Sequence, residues 1–175
     1  MKNIFVGFIF IFLDFNLNLG NSQIGLIPDF VGYLIMISGL EEMAGESALF
    51  MKVKTYATGM AIYTGILYLV DLFGLSVSLG WLTYILAFIS TAISLYISYN
   101  IVMGVIDVEG KYNVLLNGES LKSTWTLMAV LNIIALVSTL IPFIAILCII
   151  ASFIVAVCFL VAFNKSKNLY YEKVR

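Results

Sequence analysis

Six long apolar stretches divide the chain, and they restrict the folds open to it. They cover residues 4–20, 25–41, 55–74, 79–106, 123–141 and 143–163. A helix needs about 20 mostly apolar residues to cross roughly 30 Å of hydrocarbon, and each stretch approaches or exceeds that length. Only 11% of the residues are charged, whereas soluble domains carry roughly 25%. The sequence therefore predicts an all-α fold, in which residues 1–175 form one polytopic transmembrane bundle of six helices.

The basic residues are distributed asymmetrically between the connections. The short connections after the first, third and fifth stretches contain no charged residue, whereas the other two loops and the C-terminal tail hold most of the charge. If the N-terminus is cytoplasmic, every Lys and Arg lies on the cytoplasmic side: Lys2, Lys52, Lys54, Lys111, Lys122, Lys165, Lys167, Lys173 and Arg175. The positive-inside rule then predicts that both termini are cytoplasmic. A five-span arrangement would place Lys2 or the tail outside.

Three aspartates lie within the apolar stretches. Asp14 is near the middle of the first stretch, with Asn18 four residues on and so on the same helical face. Asp29 follows Pro28 at the outer start of the second stretch, and Asp71 is near the outer end of the third. Because ionisable groups in a bilayer are costly, these four polar residues form a candidate ligand- or ion-binding site. The structural alternative is that Pro-Asp begins a helix and that Asp71 reaches the membrane interface.

Small residues recur at helical spacing in two of the stretches. Close approach of transmembrane helices needs residues of this size, so the pattern predicts helix packing. A row of hydroxyl groups could instead line a polar path. The predicted packing residues are Gly32, Gly39, Ala87, Thr91, Ser94 and Ser98.

Motifs for catalysis are missing from the sequence. It contains no histidine, which removes the commonest general base and metal ligand. It also has no phosphate-binding glycine loop and no Cys-x-x-Cys pair. The net charge of −1 provides no basic field for nucleic acid. We therefore predict no enzymatic activity, no catalytic residue, no cofactor, no metal and no nucleic-acid partner.

One segment is similar to a known group of proteins. Residues 25–40 contain Pro28-Asp29-Phe30, followed by Gly32-Tyr33. This segment resembles a Pro-Asp-Phe-x-Gly-Tyr signature of small, uncharacterised integral membrane proteins of Gram-positive bacteria. The resemblance implies a multi-pass protein of the bacterial plasma membrane and implies no activity.

Two functional classes fit these features. The first is a small transporter, or the substrate-binding membrane subunit of a larger one, with the polar residues forming its site. The second is a non-transporting scaffold or accessory protein, in which the polar residues join helices. A lipid-modifying enzyme is a third and weaker alternative. The expected partners are the lipid bilayer and either another membrane protein or a second copy of the chain.

Overall fold

The computed structural model describes residues 1–12, 16–19, 22–25, 28–73, 82–137 and 142–174. Six helices account for most of these residues, which confirms the predicted all-α class and helix number for the described part of the chain. In chain order they are α1 (Lys2–Phe12), α2 (Asp29–Glu42), α3 (Ala48–Leu72), α4 (Leu82–Tyr112), α5 (Gly118–Val137) and α6 (Pro142–Lys173).

A short β-hairpin separates α1 from α2. Strand β1 (Asn16–Leu19) pairs antiparallel with β2 (Ser22–Gly25). The prediction of a continuous helix over 4–20 is therefore wrong, because α1 ends at Phe12. Alternation of Asn and Leu over residues 16–19 is a strand pattern, and Gly-Asn between two such segments is typical of a hairpin. Asn18 consequently lies in a strand and has no helical face to share with Asp14, which lies outside the described residues.

Both termini and two loops meet at one end of the bundle, which we call the terminal end. The N-terminal amine of Met1 lies 3.5 Å from the Tyr171 hydroxyl. Tyr170 donates a hydrogen bond to Glu46 in the α2–α3 loop, and Lys173 donates one to the backbone of Leu115 in the α4–α5 loop. The helices extend past the predicted spans here, because polar helix-forming residues continue them beyond the apolar stretches.

Helix α1 packs closely on α2 through glycines. A Cβ at Gly39 would lie 2.6 Å from the backbone nitrogen of Ile4, and a Cβ at Gly32 would lie 2.9 Å from side-chain atoms of Ile11. Glycine on the facing helix has the same role, since a Cβ at Gly7 would lie 2.7 Å from the backbone oxygen of Gly32. Only residues without side chains allow the two backbones to approach this closely.

Two described helices have the length and apolar composition to cross a membrane. They are Ile85–Tyr112 within α4 and Ile150–Lys173 within α6. Only 28% of the apolar window in α4 and 39% of that in α6 are buried inside the molecule. Apolar side chains on the other helices are exposed as well, among them Ile62, Ile66 and Ile133. The bundle thus has a broad apolar exterior.

Candidate functional site

A cavity of about 320 Å³ lies at the centre of the bundle, and all six helices contribute to its wall. Residues such as Phe12, Met128 and Phe153 form its apolar parts. Eight polar side chains interrupt that surface: Asp29, Tyr33, Thr64, Ser90, Thr91, Ser94, Asn132 and Ser152. A pocket with an apolar wall and a few convergent polar groups is the common form of a small-molecule site.

Asp29 is the only charged residue among the described residues that line the cavity. It is the first residue of α2, after Pro28, whose extended backbone begins the helix. Proline fits this position because it has no amide hydrogen to satisfy, and aspartate complements the positive end of the helix dipole. The same local sequence that begins α2 therefore also places a carboxylate on the cavity wall.

Tyr33 lies one helical turn beyond Asp29 and on the same face of α2. Its side chain is 2% exposed. The Tyr33 hydroxyl forms a hydrogen bond with the side chain of Ser94 on α4, and the phenol interacts electrostatically with Asp29. The bond to Ser94 connects α2 to α4 at the cavity.

The small residues of α4 occupy different environments. Thr91 and Ser94 line the cavity, whereas Ala87 lies on the exposed surface. Ser98 is 1% exposed and accepts a hydrogen bond of 2.9 Å from the indole nitrogen of Trp125, which connects α4 to α5. One row of small residues therefore contributes both to the cavity wall and to a helix–helix contact.

Several polar groups of the cavity are bonded within their own helices. The Thr64 hydroxyl donates to the Met60 carbonyl oxygen at 2.7 Å, and the Asn132 amide donates to the Met128 carbonyl oxygen at 2.8 Å. Neither of these bonds joins two helices. The buried hydroxyl oxygen of Ser152 has no hydrogen-bond partner within the described part of the chain.

Buried apolar side chains lie between the cavity and the terminal end. On each of three helices, the residue about one turn nearer the terminal end than a cavity-lining residue is apolar and buried. These residues are Met36 on α2, Ala57 on α3 and Ile97 on α4. They are 0%, 0% and 1% exposed, respectively.

The structure brings together only part of the predicted site. Asp29 lines the cavity, whereas Asp14 and the side chains of Asn18 and Asp71 lie outside the described residues, so their predicted role stays a prediction. The sequence prediction did not include Tyr33 or Ser152. The position of Tyr33, four residues after Asp29, could have indicated it, but an isolated hydroxyl such as Ser152 looks the same in sequence whether it packs or lines a cavity.

A second polar cluster surrounds Glu46 at the terminal end. Its carboxylate accepts hydrogen bonds from Lys111 at 3.0 Å, from Tyr112 at 2.8 Å and from Tyr170 at 3.1 Å. Partial burial acts to raise the pKa of Glu46, but these three hydrogen bonds outweigh it and hold the pKa below its ordinary value of 4.5. The cluster connects the α2–α3 loop to α4 and α6.

Within the described ranges, no group of three or more His, Cys, Asp or Glu side chains has the geometry of a metal site. A scan against protein-family models found no match, and searches of curated proteins and of solved structures found none either. The geometry of the central cavity is therefore the basis for a functional assignment.

Proposed function

We propose that the chain is a multi-pass membrane protein that crosses the bilayer six times, with both termini in the cytoplasm. The broad apolar exterior supports this arrangement, because lipid contact stabilises a surface that water would not. The described lysines support the orientation. Lys2, Lys111 and Lys173 lie at the terminal end, and the charged residue of the central cavity is an aspartate. Cytoplasmic loops are rich in basic residues.

The first two crossings combine a helix with a strand. Helix α1 has 11 residues and rises about 16 Å, which is half of a bilayer core. Strand β1 adds four residues and about 13 Å, so that together they approach the full thickness. Non-helical backbone at membrane depth is tolerated where protein covers it, and β2 contacts α3. The hairpin is compatible with six crossings for this reason.

Within this framework, we propose that the central cavity binds a small cationic or protonatable solute, as part of a transporter or a substrate-binding membrane subunit. The observation that carries the proposal is the position of Asp29 in a cavity lined by all six helices. Asp29 is thirteen residues, or about 20 Å, from the end of α2 at Glu42. Ionisable residues at membrane depth commonly mark the path or binding site of an ion or solute.

The oxygen-rich wall agrees with a cation. Hydroxyl groups of Thr91, Ser94 and Ser152 face the same space as the Asp29 carboxylate. Oxygen ligands suit hard metal cations, and they also accept hydrogen bonds from an ammonium group. A solute of either kind would place its charge against Asp29, and its remaining atoms would contact apolar residues such as Phe153.

A scaffold without transport activity is the second candidate. The bond between Trp125 and Ser98 favours it, because this bond joins two helices as a scaffold requires. The bond between Tyr33 and Ser94 also joins two helices. Thr64 and Asn132 argue against a scaffold, since they line the cavity but bond only to their own helices. A lipid-modifying enzyme has no specific support in the geometry.

Replacing Asp29 with Asn tests the solute-binding proposal. The purified chain is heated in detergent with Na⁺, K⁺, choline or ethanolamine, at pH 6 to 8, and Tm is followed. We expect at least one of these cations to raise Tm of the wild-type protein. Asp29→Asn should abolish the increase relative to the Tm of the same variant without the cation, because Asn keeps the size of the side chain and removes its charge.

The matched control is Glu172→Gln, which removes an exposed carboxylate near the C-terminus. It should retain the cation-dependent increase in Tm. An increase that survives in Asp29→Asn, or a wild-type protein that none of the four cations stabilises, would contradict the proposal. Uptake of the stabilising cation into proteoliposomes then separates transport from binding alone.

Labelling of single cysteines tests the topology. After Cys148 and Cys158 are replaced with Ala, Glu172→Cys should react with a membrane-impermeant maleimide only in opened cells. Reaction in intact cells would place the C-terminus outside and refute the proposed orientation.

A further inference from the structure

A groove on the exterior of the bundle runs between α3 and α4. Its volume is about 290 Å³, and its lining is largely apolar, with Ile89 and Ile93 on α4 and Tyr56 on α3. Gly59 forms part of its floor, and a Cβ added there would meet no atom within 4 Å. The groove is therefore an open space rather than a tight helix contact.

The two ends of the groove differ. At the end of the groove that is farther from the terminal end, the Tyr63 hydroxyl donates a hydrogen bond of 3.1 Å to the Leu86 carbonyl oxygen. This bond joins the two helices. Towards the terminal end, the ammonium group of Lys52 lies 5.7 Å from the centre of the Tyr96 ring. The Tyr96 ring packs against Tyr56 at a centroid distance of 4.9 Å. On the side of the terminal end, the apolar groove therefore ends at the Lys52 ammonium group and the rings of Tyr56 and Tyr96.

The charge of Lys52 is available to a ligand. The neighbouring Lys54 forms a salt bridge of 2.7 Å with Glu41, whereas Lys52 is exposed and takes part in no salt bridge within the described ranges. Lys52 is seven residues from Gly59, so its backbone lies about 10 Å further along the helix axis. Tyrosine and lysine at this level are typical of the headgroup region of a bilayer.

We propose that this groove is a binding site for an anionic phospholipid of the cytoplasmic leaflet. The phosphate lies at Lys52, and one acyl chain follows the groove over Gly59 towards Tyr63. The positive charge of Lys52 is complementary to the phosphate, and the apolar lining of the groove is complementary to the acyl chain. The proposal rests on the membrane orientation proposed above but is independent of the solute of the central cavity.

The site also borders the central cavity. Met60 and Ser90 line both spaces, so one layer of side chains separates the acyl chain from the solute site. An occupied groove would hold these two side chains against the cavity and support its wall from the lipid side.

Titration of the full-length protein with lipid tests the proposal. Tm is measured in detergent with increasing dioleoylphosphatidylglycerol, and in parallel with dioleoylphosphatidylcholine. We expect the wild-type protein to be stabilised at lower concentrations of phosphatidylglycerol. Lys52→Gln should weaken the apparent affinity for phosphatidylglycerol by about fivefold, the contribution of one lysine near an anionic surface. Lys122→Gln removes an exposed lysine on α5 and should have no such effect.

Gly59→Leu fills the groove and should weaken the binding of both lipids by on the order of tenfold or more, since the chain would have to displace the new side chain. The control is Gly110→Leu, because Gly110 is also helical with no atom within 4 Å of an added Cβ. Ile89→Trp blocks the groove from the other helix and replaces Gly59→Leu if that variant does not fold.

Weaker binding of phosphatidylglycerol in Lys52→Gln and in the groove-filling variants, with unchanged controls, supports the proposal. Equal affinities of the wild-type protein for the two lipids would overturn the anionic assignment. Lipid binding that is unaffected by Gly59→Leu and Ile89→Trp would overturn the groove as its site. A change of oligomeric state in these variants would assign the groove to a second copy of the chain instead.

Discussion

The half of the bundle near the terminal end and the half around the central cavity consist of the same helices but differ in how their interiors are packed. Near the terminal end, side chains such as Leu40, Phe50 and Val105 are completely buried. Around the cavity, the same helices surround an open space with polar groups. A filled interior gains contacts that an open space lacks. We infer that the first half supplies most of the stability and that the second half supplies less.

Phe50→Ala should produce the largest loss of stability. The Phe50 ring is 0% exposed and packs against Gly104, where an added Cβ would lie 2.8 Å from the ring. Truncating a buried phenylalanine costs about 3–5 kcal/mol, and we expect a loss of about 3 kcal/mol in the free energy of unfolding. Thermal or denaturant unfolding in detergent measures it.

The control is Phe73→Ala, because Phe73 is 73% exposed. It should change the free energy of unfolding by less than about 0.5 kcal/mol. If the two variants were equally stable, the terminal half would not be the more stable part, and the comparison would fail.

Gly39→Ala should have the next largest effect. An added methyl group would meet the backbone of α1 at Ile4, and backbone cannot move as easily as a flexible side chain. We expect a loss of about 2 kcal/mol, within the range for overpacked interiors. Gly110→Ala has free space at the added methyl group and should be neutral or stabilising by up to about 1 kcal/mol, because alanine favours helix.

Apolar length predicted the six helices, but it could not predict where they end. Polar helix-forming residues continue α6 beyond its apolar stretch, so it runs to Lys173 rather than to residue 163. The hairpin was missed because residues 16–20 were assigned to the first apolar span and residues 21–24 to the connection after it. The alternation of Asn and Leu over residues 16–19, a period of two, was the local signal against a helix.

The candidate site could be predicted only in part. Asp29 was identified because a carboxylate in an apolar stretch is costly whatever its neighbours. Thr64 and Asn132 could not be assigned in the same way. Their polar groups bond to their own helices, and only the arrangement of six helices determines that they face a common space. The sequence of one helix does not contain that information.

Glu46→Gln tests the polar cluster of the terminal half. It replaces the carboxylate that accepts bonds from Lys111, Tyr112 and Tyr170. We expect a loss of about 1 kcal/mol at neutral pH, since the cluster is partly exposed to solvent. Unfolding in detergent at pH 7 measures it, with Glu172→Gln, an exposed carboxylate near the C-terminus, as the control.

The same variant has an expected pH dependence. The folded pKa of Glu46 lies below its ordinary value of 4.5, so the folded state binds the proton less well than the unfolded state does. The contribution of Glu46 is therefore complete above pH 4.5 and is lost as the pH falls through the lower folded pKa. Glu46→Gln should reduce the loss of stability in acid. An unchanged acid profile would show that the cluster contributes nothing.

Tyr33→Phe tests the cavity half and should have a small effect on stability. It removes the hydroxyl that bonds Ser94 and keeps the buried ring. In the membrane arrangement proposed above, a hydrogen bond between helices contributes about 0.6 kcal/mol on average, and we expect a loss of that size. Any cation that stabilises the wild-type protein should stabilise this variant less, because the wall beside Asp29 loses a fixed hydroxyl. An unchanged stabilisation would remove Tyr33 from the proposed site.

Lys54→Gln should have the smallest effect, although it breaks a salt bridge of 2.7 Å with Glu41. The Lys54 and Glu41 side chains are 33% and 55% exposed, so water solvates both charges after the bond is lost. Exposed pairs contribute about 0–1 kcal/mol, and we expect less than about 0.5 kcal/mol here. Unfolding at low and high salt measures it, because screening should reduce even this difference. A loss as large as that of Phe50→Ala would mean that charge, and not apolar packing, stabilises the terminal half.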